Sequence, residues 1–336
     1  MNEAVATVLG EAFPDRSVER LTAAGVSWNG ANETVGVVFA DGARAFCKVA
    51  VDGDGTRVAR ELAVLRHVTT RRPIAAPEVL AADSGAGVPY LITAPAPGRE
   101  LLGVWEELGE GDGGEADREA LLRRVGATLA TLHAARFDRH AEIVGGDGRG
   151  GLDLDPAPWP DVLLKTIDRT REIGTSERLA DHYDAVIDCV EANRDRLCDA
   201  PAALLHGDVA MPNLFVDDAG AGRGGGVEED DGLAPIDWEL ADVGDPARDL
   251  VRAEDQLLNG FDSEGPERYA AALRAGYRER AGGLPEGFAA RRPVYEVVRM
   301  LGRSGFIDQW TTHLDEPTDA LVERAEAELR ARLAAV

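Results

Sequence analysis

The chain has 336 residues, 44% of them hydrophobic, which is enough for one large domain or two lobes with a sizeable core. Its formal net charge is −25 at pH 7, because 61 acidic residues outnumber 36 basic ones. A field of this sign repels nucleic acid and anionic membranes, whose phosphates are bound by Lys and Arg, so we expect neither as a partner. The acidic excess extends along the whole chain, a composition typical of proteins from a salt-rich, halophilic cytoplasm.

Cysteine usage and hydropathy both indicate a reduced, cytoplasmic environment. Cys47, Cys189 and Cys198 form no CxxC pair, and an odd number of cysteines in a chain of this length argues against a disulfide framework. Residues 1–13 lack the basic region and apolar core of a signal peptide. No later stretch approaches the roughly 18 apolar residues of a membrane-spanning helix, so we expect a cytoplasmic protein.

The segment 27–51 consists of short β-rich runs separated by turn residues. Asp41-Gly42 lies between two such runs, Thr34–Phe39 and Ala43–Val49, and an Asp-Gly dipeptide in this position is a strong signal for a β-hairpin. The pattern predicts that Lys48 lies on the third strand of the chain.

A helix and a further strand follow this hairpin. The run Thr56–Val68 carries its apolar residues at helical spacing, with Glu61 beside the apolar face. The predicted strand 88–93 ends in the Pro/Gly-rich segment 94–98, which can continue neither a central strand nor a helix. This segment is the predicted hinge between an N-terminal lobe, residues 1–98, and a C-terminal lobe, residues 99–336.

The C-terminal part is predicted to be mainly helical. Helical patterns cover residues 117–135, 176–197, 247–259, 266–281, 291–306 and 318–335. One β-hairpin, made of 214–216 and 233–238, interrupts the helices. Its connection, 217–232, is acidic and rich in glycine, buries nothing and is expected to be mobile.

The densest group of chemically capable side chains lies around this hairpin. His206-Gly207-Asp208 is followed by Asn213, and Asp237 ends the second strand of the hairpin. Phosphoryl transfer needs one carboxylate to orient a hydroxyl group, and a second carboxylate with an amide oxygen to hold Mg²⁺. Alternatively, His206 and Asp208 form a hydrogen-bonded turn and Asp237 merely ends a strand. A His-Gly-Asp triplet with an asparagine five positions after the aspartate should arise by chance on the order of once in a thousand chains of this length.

The motifs resemble those of the aminoglycoside phosphotransferase-like family of small-molecule kinases, which are relatives of the protein kinases. The family's HGDxxxxN motif corresponds to 206–213, its metal-binding aspartate to Asp237, and its GDPxxDL motif to 244–250. One departure is Pro212, where the family usually has glycine. The resemblance implies an α+β, two-lobed protein-kinase-like fold. A small antiparallel β-sheet N-lobe with one helix would precede a larger, mainly helical C-lobe.

The resemblance also implies roles for individual residues. Asp208 would orient the acceptor hydroxyl, while Asn213 and Asp237 would hold Mg²⁺. Lys48 and Glu61 would form the ion pair that orients the α- and β-phosphates of ATP. Independently, a lysine within an apolar strand is costly unless it is paired. The alternative is that Lys48 faces solvent on an alternating strand.

Two further segments resemble nucleotide-binding parts of the family. The turn 30–34 corresponds to the phosphate-covering turn, where Asn32 and backbone N–H groups could donate to phosphate oxygens, although an ordinary hairpin turn explains the sequence about as well. In the hinge, the resemblance implies that a backbone carbonyl and a backbone N–H bind adenine. Since proline cannot donate, the Ala94 carbonyl and the Ala96 N–H are the candidates.

Around the GDPxxDL motif, Pro246 follows Asp245 as the first helical residue follows an N-cap, so a helix is predicted to begin there. Asp249 is a candidate anchor for the catalytic loop. His133 is interpreted as a buried histidine with satisfied hydrogen bonds rather than as a ligand.

The function expected from these residues is an ATP-dependent phosphotransferase, with GTP as the alternative donor and Mg²⁺ as cofactor. Its acceptor would be a small molecule with a hydroxyl group, such as an aminoglycoside-like antibiotic, a sugar or an amino alcohol. The alternative is a nucleotide-binding regulatory protein without turnover. A metal-dependent hydrolase is disfavoured because the chain has only six histidines, and a protein kinase because 237–245 leaves no room for an activation segment. Neither the acceptor nor an oligomeric state follows from the sequence.

Overall fold

A computed structural model describes residues 3–23, 32–72, 74–109, 111–217, 233–260, 264–312, 314 and 316–336. Apart from Asp217, the predicted mobile loop 217–232 lies outside the described residues, as do the first two residues of the predicted turn 30–34. In the part of the chain that is described, no helix combines the length and the apolar character that crossing a membrane would require.

The structure confirms the α+β class, with an antiparallel sheet near the N-terminus and helices towards the C-terminus. The described helices are α1 (Glu3–Ala12), α2 (Thr56–Arg71), α3 (Leu101–Glu107), α4 (Asp112–His133), α5 (Trp159–Ile173), α6 (Asp181–Ala192), α7 (Arg194–Cys198), α8 (Pro246–Leu258), α9 (Glu267–Ala281), α10 (Phe288–Arg299), α11 (Leu301–Ser304), α12 (Ile307–Trp310) and α13 (Thr318–Ala334). The described strands are β1 (Val18–Ala23), β2 (Asn32–Phe39), β3 (Arg44–Ala50), β4 (Val79–Asp83), β5 (Tyr90–Thr93), β6 (Arg99–Glu100), β7 (Ala141–Gly146), β8 (Leu152–Pro156), β9 (Ala203–Leu204), β10 (Leu214–Val216), β11 (Leu233–Pro235) and β12 (Asp242–Gly244).

The chain forms two compact units. The first comprises Met1–Glu107, Ile143–Leu154 and Pro212–Ala241, and the second Leu108–Glu142, Asp155–Met211 and Asp242–Val336. The lobe boundary near residue 98 stays a prediction. The compact units do not follow this predicted boundary, because two later segments, 143–154 and 212–241, pack with the N-terminal residues.

The first unit contains a five-stranded antiparallel sheet in the order β1-β2-β3-β5-β4. Residues 40–43 connect β2 to β3, with Gly42 at φ 84°, so the predicted hairpin is confirmed with a four-residue connection. Along β3, Cys47 and Val49 enter the core on one face, which places Lys48 on the other face. The predicted position of Lys48 on the third strand is confirmed.

Helix α1 covers the apolar face of this sheet and is absent from the sequence analysis. Val5, Val8 and Leu9 pack against the buried side chains of β2 and β3. Their i, i+3, i+4 spacing is the signal that could have revealed the helix. A smaller sheet in the same unit pairs β10 with β11 and with β6, which confirms the predicted 214–216 hairpin.

The second unit is built mainly from helices, of which α4 and α9 pack closely along their lengths. Gly126 on α4 lies against the backbone carbonyl of Leu273, and Gly276 on α9 against that of Arg123. A Cβ atom at either glycine would overlap these carbonyl groups, so both glycines permit the close helix crossing. Within the same unit, β12 pairs with β9 and with residues 141–142, and this ladder leads into α8.

A buried hydrogen-bond network surrounds the start of α8. Asp245 caps the helix by accepting the Ala247 N–H at 2.9 Å, which confirms the predicted helix start. Its Oδ2 also accepts Arg291 Nε at 2.6 Å and Tyr295 Oη at 2.5 Å. The Tyr295 oxygen in turn accepts Trp159 Nε1 at 2.8 Å. The carboxylate is therefore fully buried but well compensated.

This network supplies a stability prediction. Tyr295→Phe removes a hydrogen bond to a buried carboxylate and leaves the Trp159 indole N–H without its acceptor, so we expect the free energy of unfolding to fall by about 1.5–3 kcal/mol. Tyr90→Phe is the matched control, because its hydroxyl has no hydrogen bond among the described residues, and it should change the free energy by less than about 0.5 kcal/mol. Urea unfolding of both variants makes the comparison, and equal effects would contradict the prediction.

Candidate active site

The HGD loop lies in the second unit and is held by Asp249 on α8. Asp249 Oδ2 accepts the His206 N–H at 2.7 Å, and its Oδ1 accepts the Gly207 N–H at 2.9 Å. His133 Nε2 lies 3.3 Å from the same carboxylate, and His133 Nδ1 lies 3.0 Å from Tyr277 Oη. The predicted anchoring role of Asp249 is thus confirmed, as is the interpretation of His133 as a buried, hydrogen-bonded histidine.

The electrostatics of Asp249 explain why this anchor remains charged. Burial alone would raise the pKa of its carboxyl group, but the His133 hydrogen bond and the backbone N–H of His206 lower it well below the usual range. A charged carboxylate that accepts two successive backbone N–H groups fixes the path of the loop. Gly207, at φ 84°, provides the left-handed residue that this path requires.

Asp208 lies just beyond this anchor, with 22% of its side chain exposed. Its Oδ1 accepts Arg252 Nη2 at 2.7 Å and Gln256 Nε2 at 2.6 Å. Burial would raise its pKa, but Arg252 and Gln256 hold it below the usual carboxyl range. Asp208 is therefore a charged, oriented carboxylate and a weak base.

Arg252 and Gln256 are functional candidates that the sequence analysis missed. They follow Asp249 on α8 by three and seven residues, which is the spacing of one helix face. Helical spacing from the predicted anchor was the signal that could have found them.

The first unit contains a second charged cluster, centred on Lys48. Its Nζ lies 2.8 Å from Glu61 Oε2, 2.6 Å from Asp237 Oδ1 and 2.9 Å from Glu239 Oε2. The expected contact between Lys48 and Glu61 is thus present, with two further carboxylates as partners. Burial alone would lower the Lys48 pKa, but Asp237, Glu61 and Glu239 raise it well above its ordinary value. The lysine is fully charged at neutral pH.

The three carboxylates form a donor set suited to a divalent metal. One oxygen each from Glu61, Asp237 and Glu239 lies within 4.8 Å of the other two. Burial and the two neighbouring carboxylates raise the pKa of Glu61 to about 7, against the opposing effect of Lys48. Hard carboxylate oxygens are the ligands that Mg²⁺ prefers. The residues present therefore fit the metal that the sequence predicts.

The backbone at Asp237 is strained in a way that is common at functional sites. Asp237 has φ 64° and ψ 62°, and no other non-glycine residue in the described part of the chain has a positive φ. Aspartate tolerates this left-handed region better than most side chains, but the conformation still has a cost. Arg60 on α2 supports the segment by donating Nη1 to the Glu239 carbonyl at 2.9 Å and Nε to the Ile143 carbonyl at 2.8 Å.

The remaining predicted residues occupy defined positions in the first unit. Asn32 is buried and donates Nδ2 to Glu239 Oε2 at 2.6 Å, which links it to the Lys48 cluster. The Asn213 carbonyl accepts the Ile236 N–H at 2.9 Å, which brings residue 213 beside the segment that carries Asp237.

In the predicted hinge, the Ala94 N–H donates to the Glu78 carbonyl at 2.8 Å. The Ala96 N–H makes no hydrogen bond among the described residues. This arrangement is compatible with adenine binding by Ala94 and Ala96, which stays a prediction.

Comparison with known proteins decides the family. The model of the phosphotransferase enzyme family (APH) matches residues 22–294. This range includes the loop that carries Asp208, the cluster around Lys48 and the predicted hinge. The chain belongs to this family. Comparison of this phosphotransferase-family chain with curated proteins yields no match.

Solved structures show the same fold over nearly the whole length of this family member. A macrolide 2'-phosphotransferase, MphH from Brachybacterium faecium, is 18% identical with a TM-score of 0.53 and covers 97% of each chain. APH(2")-IIa in a ternary complex with streptomycin and ATP is 14% identical with a TM-score of 0.58, covering 98% of this chain and 96% of that one. A GDP and kanamycin complex of a further APH(2") enzyme is 12% identical with a TM-score of 0.59 and covers 98% of each chain.

Proposed function

We propose that the chain is a cytoplasmic kinase that transfers the γ-phosphoryl group of ATP, with GTP as the alternative donor, to a hydroxyl group of a small molecule. The observation that carries this proposal is the Lys48 cluster, in which one buried cation contacts Glu61, Asp237 and Glu239. The arrangement combines a phosphate-binding cation with a carboxylate set for Mg²⁺. The similar enzymes solved in complex with ATP and with GDP support a nucleoside triphosphate as donor.

Each residue then has a role in this reaction. Lys48, oriented by Glu61, donates to the α- and β-phosphate oxygens, while the Ala94 carbonyl and the Ala96 N–H bind the adenine. Asp237 and Asn213 hold Mg²⁺, with Asn32 steadying Glu239 beside them. When bound, Mg²⁺ neutralises charge on the transferring phosphoryl group.

The chemistry at Asp208 follows from its surroundings. Asp208 accepts a hydrogen bond from the acceptor hydroxyl and aims its oxygen at the γ-phosphorus. A new oxygen–phosphorus bond forms, the nucleoside diphosphate leaves, and the hydroxyl proton is lost. Because Arg252 and Gln256 lower its pKa, Asp208 acts by orientation and takes up the proton late, as a loose transition state allows.

A phosphorylation screen with Mg²⁺ and either ATP or GTP tests the proposal. The acceptors are aminoglycosides, macrolides, sugars and amino alcohols, with transfer of labelled γ-phosphate as the measurement. We expect labelled acceptor from at least one class, and none above background with Asp208→Asn. Tight nucleotide binding without transfer would favour the alternative, a regulatory nucleotide-binding protein.

A double-mutant cycle tests the Lys48 cluster separately. Lys48→Ala removes the cation and leaves three neighbouring carboxylates, whereas Glu61→Ala leaves Lys48 with Asp237 and Glu239 as partners. We therefore expect the larger loss of kcat/KM for ATP from Lys48→Ala. The double mutant should lose less catalytic efficiency than the two single mutants together, with a coupling free energy of about 0.5–3 kcal/mol.

The control for this cycle is Lys165→Ala, which removes the other lysine of the chain, a half-exposed side chain whose partner Glu142 keeps Arg169. It should leave the kinetics unchanged. Additive single effects of Lys48→Ala and Glu61→Ala would mean that the two side chains do not act together.

A further inference from the structure

Arg57 lies in the first turn of α2, one helical turn before Glu61. Residues four apart share a face of a helix, and both side chains accordingly reach the Lys48 cluster. Glu61 contacts Lys48 directly, and Arg57 Nη1 lies 3.9 Å from Glu239 Oε1. All four residues belong to the first compact unit. Neither the sequence analysis nor the reaction described above gives Arg57 a role.

The guanidinium group of Arg57 has an enclosed nitrogen without a hydrogen-bond acceptor. Its Nη1 is shielded from solvent and makes no hydrogen bond with any residue that the structure describes. Glu239 attracts it, but 3.9 Å is beyond hydrogen-bond range, and Oε2 of the same carboxylate is engaged by Lys48 at 2.9 Å and by Asn32 at 2.6 Å. An enclosed donor without an acceptor is costly, so a ligand oxygen that reached Nη1 would be bound favourably.

Asp54 also attracts Arg57, but it is committed to the turn that precedes α2. Its Oδ1 accepts the Thr56 N–H at 3.0 Å and the Thr56 hydroxyl. These two hydrogen bonds are the main reason why the pKa of Asp54 is lowered, and Arg57 adds a smaller effect. Because Asp54 is exposed, its attraction for Arg57 is screened by solvent.

Two features beside Arg57 favour a bound anion. The first turn of a helix carries the positive end of the helix dipole, so a cation in this turn is unfavourable unless an anion lies beside it. Lys48 and Arg57 also approach opposite oxygens of one carboxylate, Lys48 at Glu239 Oε2 and Arg57 at Oε1. The two cations are therefore close enough to contact adjacent phosphate groups of one chain. With 20% of its side chain exposed, Arg57 is open to such a ligand.

We propose that Arg57 is a further phosphate-binding residue, whose Nη1 donates to an oxygen of the γ-phosphate of the bound nucleotide. The inference rests on the proposed function, in which Lys48 contacts the α- and β-phosphates and leaves the terminal phosphate to another cation. A guanidinium group suits a terminal phosphate, which presents three oxygens. Since a nucleoside diphosphate lacks this phosphate, Arg57 makes the site prefer the triphosphate substrate over the diphosphate product.

Calorimetry with matched nucleotides and Mg²⁺ tests this inference on the full chain. The ligands are AMP-PNP, a non-hydrolysable analogue of ATP, and ADP, with GMP-PNP and GDP as the guanosine pair. In Arg57→Gln we expect the affinity for the triphosphate analogue to fall on the order of 10- to 100-fold, the effect of one charged hydrogen bond. The affinity for the diphosphate should fall by less than about threefold, because only screened long-range attraction is lost.

Control variants separate a phosphate contact from a structural role. Arg57→Lys should restore part of the preference for the triphosphate analogue, because it returns the charge without the planar fork. Arg66→Gln removes the same charge nine residues further along α2 and should leave both affinities unchanged. Equal weakening of triphosphate and diphosphate binding in Arg57→Gln would indicate a structural role and overturn the inference. Unchanged affinities in this variant would overturn it as well.

The outcomes also separate this inference from the proposed function. A selective loss of triphosphate affinity in Arg57→Gln, without phosphoryl transfer to any acceptor by the unchanged chain, would keep Arg57 as a phosphate-binding residue and overturn the proposed function. Transfer by the unchanged chain, with the same ratio of the two affinities in Arg57→Gln, would overturn the inference alone. Absence of binding of all four nucleotides to the unchanged chain would overturn both.

Discussion

Asp208→Asn is expected to lower kcat by about 10²–10⁴-fold, the range typical of a positioned acid–base group. The amide keeps the shape of the side chain but loses the charge that orients the acceptor hydroxyl and pairs with Arg252. Nucleotide affinity should remain nearly unchanged, because the proposed nucleotide ligands lie in the Lys48 cluster and the hinge and do not include Asp208. Steady-state kinetics and calorimetry with Mg²⁺ and ATP provide the two measurements.

The control is Asp188→Asn, an exposed aspartate on α6, which should leave turnover within error of the unchanged chain. Loss of nucleotide binding in Asp208→Asn would indicate a folding defect rather than a catalytic one. Retained turnover would remove Asp208 from the reaction and leave its bonds to Arg252 and Gln256 as purely structural.

Asp237→Ala is expected to abolish Mg²⁺-dependent nucleotide binding, because the metal would lose its main carboxylate. Lys48 would keep Glu61 and Glu239 as partners, so the charged cluster should remain intact. Asp237→Asn is the sharper variant, since asparagine also tolerates the left-handed backbone found here and removes only the charge.

Calorimetry with ATP, with and without Mg²⁺, measures this effect. We expect the gain in affinity that Mg²⁺ provides to disappear in Asp237→Ala and to fall strongly in Asp237→Asn. Unchanged affinity in both conditions would show that Asp237 is not a metal ligand. Glu239→Gln is the comparison that reports whether the second carboxylate of the segment shares the metal.

Local patterns predicted much of the fold. The Asp-Gly hairpin, helix α2, the 214–216 hairpin and the helix that begins at Pro246 depend on turn chemistry, periodicity and capping within a few residues. Helix α1 was missed although Val5, Val8 and Leu9 have helical spacing. Its buried residues are two valines and a leucine in a helix of only ten residues, which gives a weak periodic signal.

The sequence by itself determined the family motif and the strand position of Lys48, which follow from local spacing. The cost of an unpaired buried cation required a partner for Lys48, and the resemblance to the family indicated Glu61. Only the tertiary structure decided the remaining partners. Asp237 reaches Lys48 across 189 residues, and Arg252 reaches Asp208 across 44. Such contacts depend on how strands and helices pack, and no local propensity encodes which distant charge will arrive beside another.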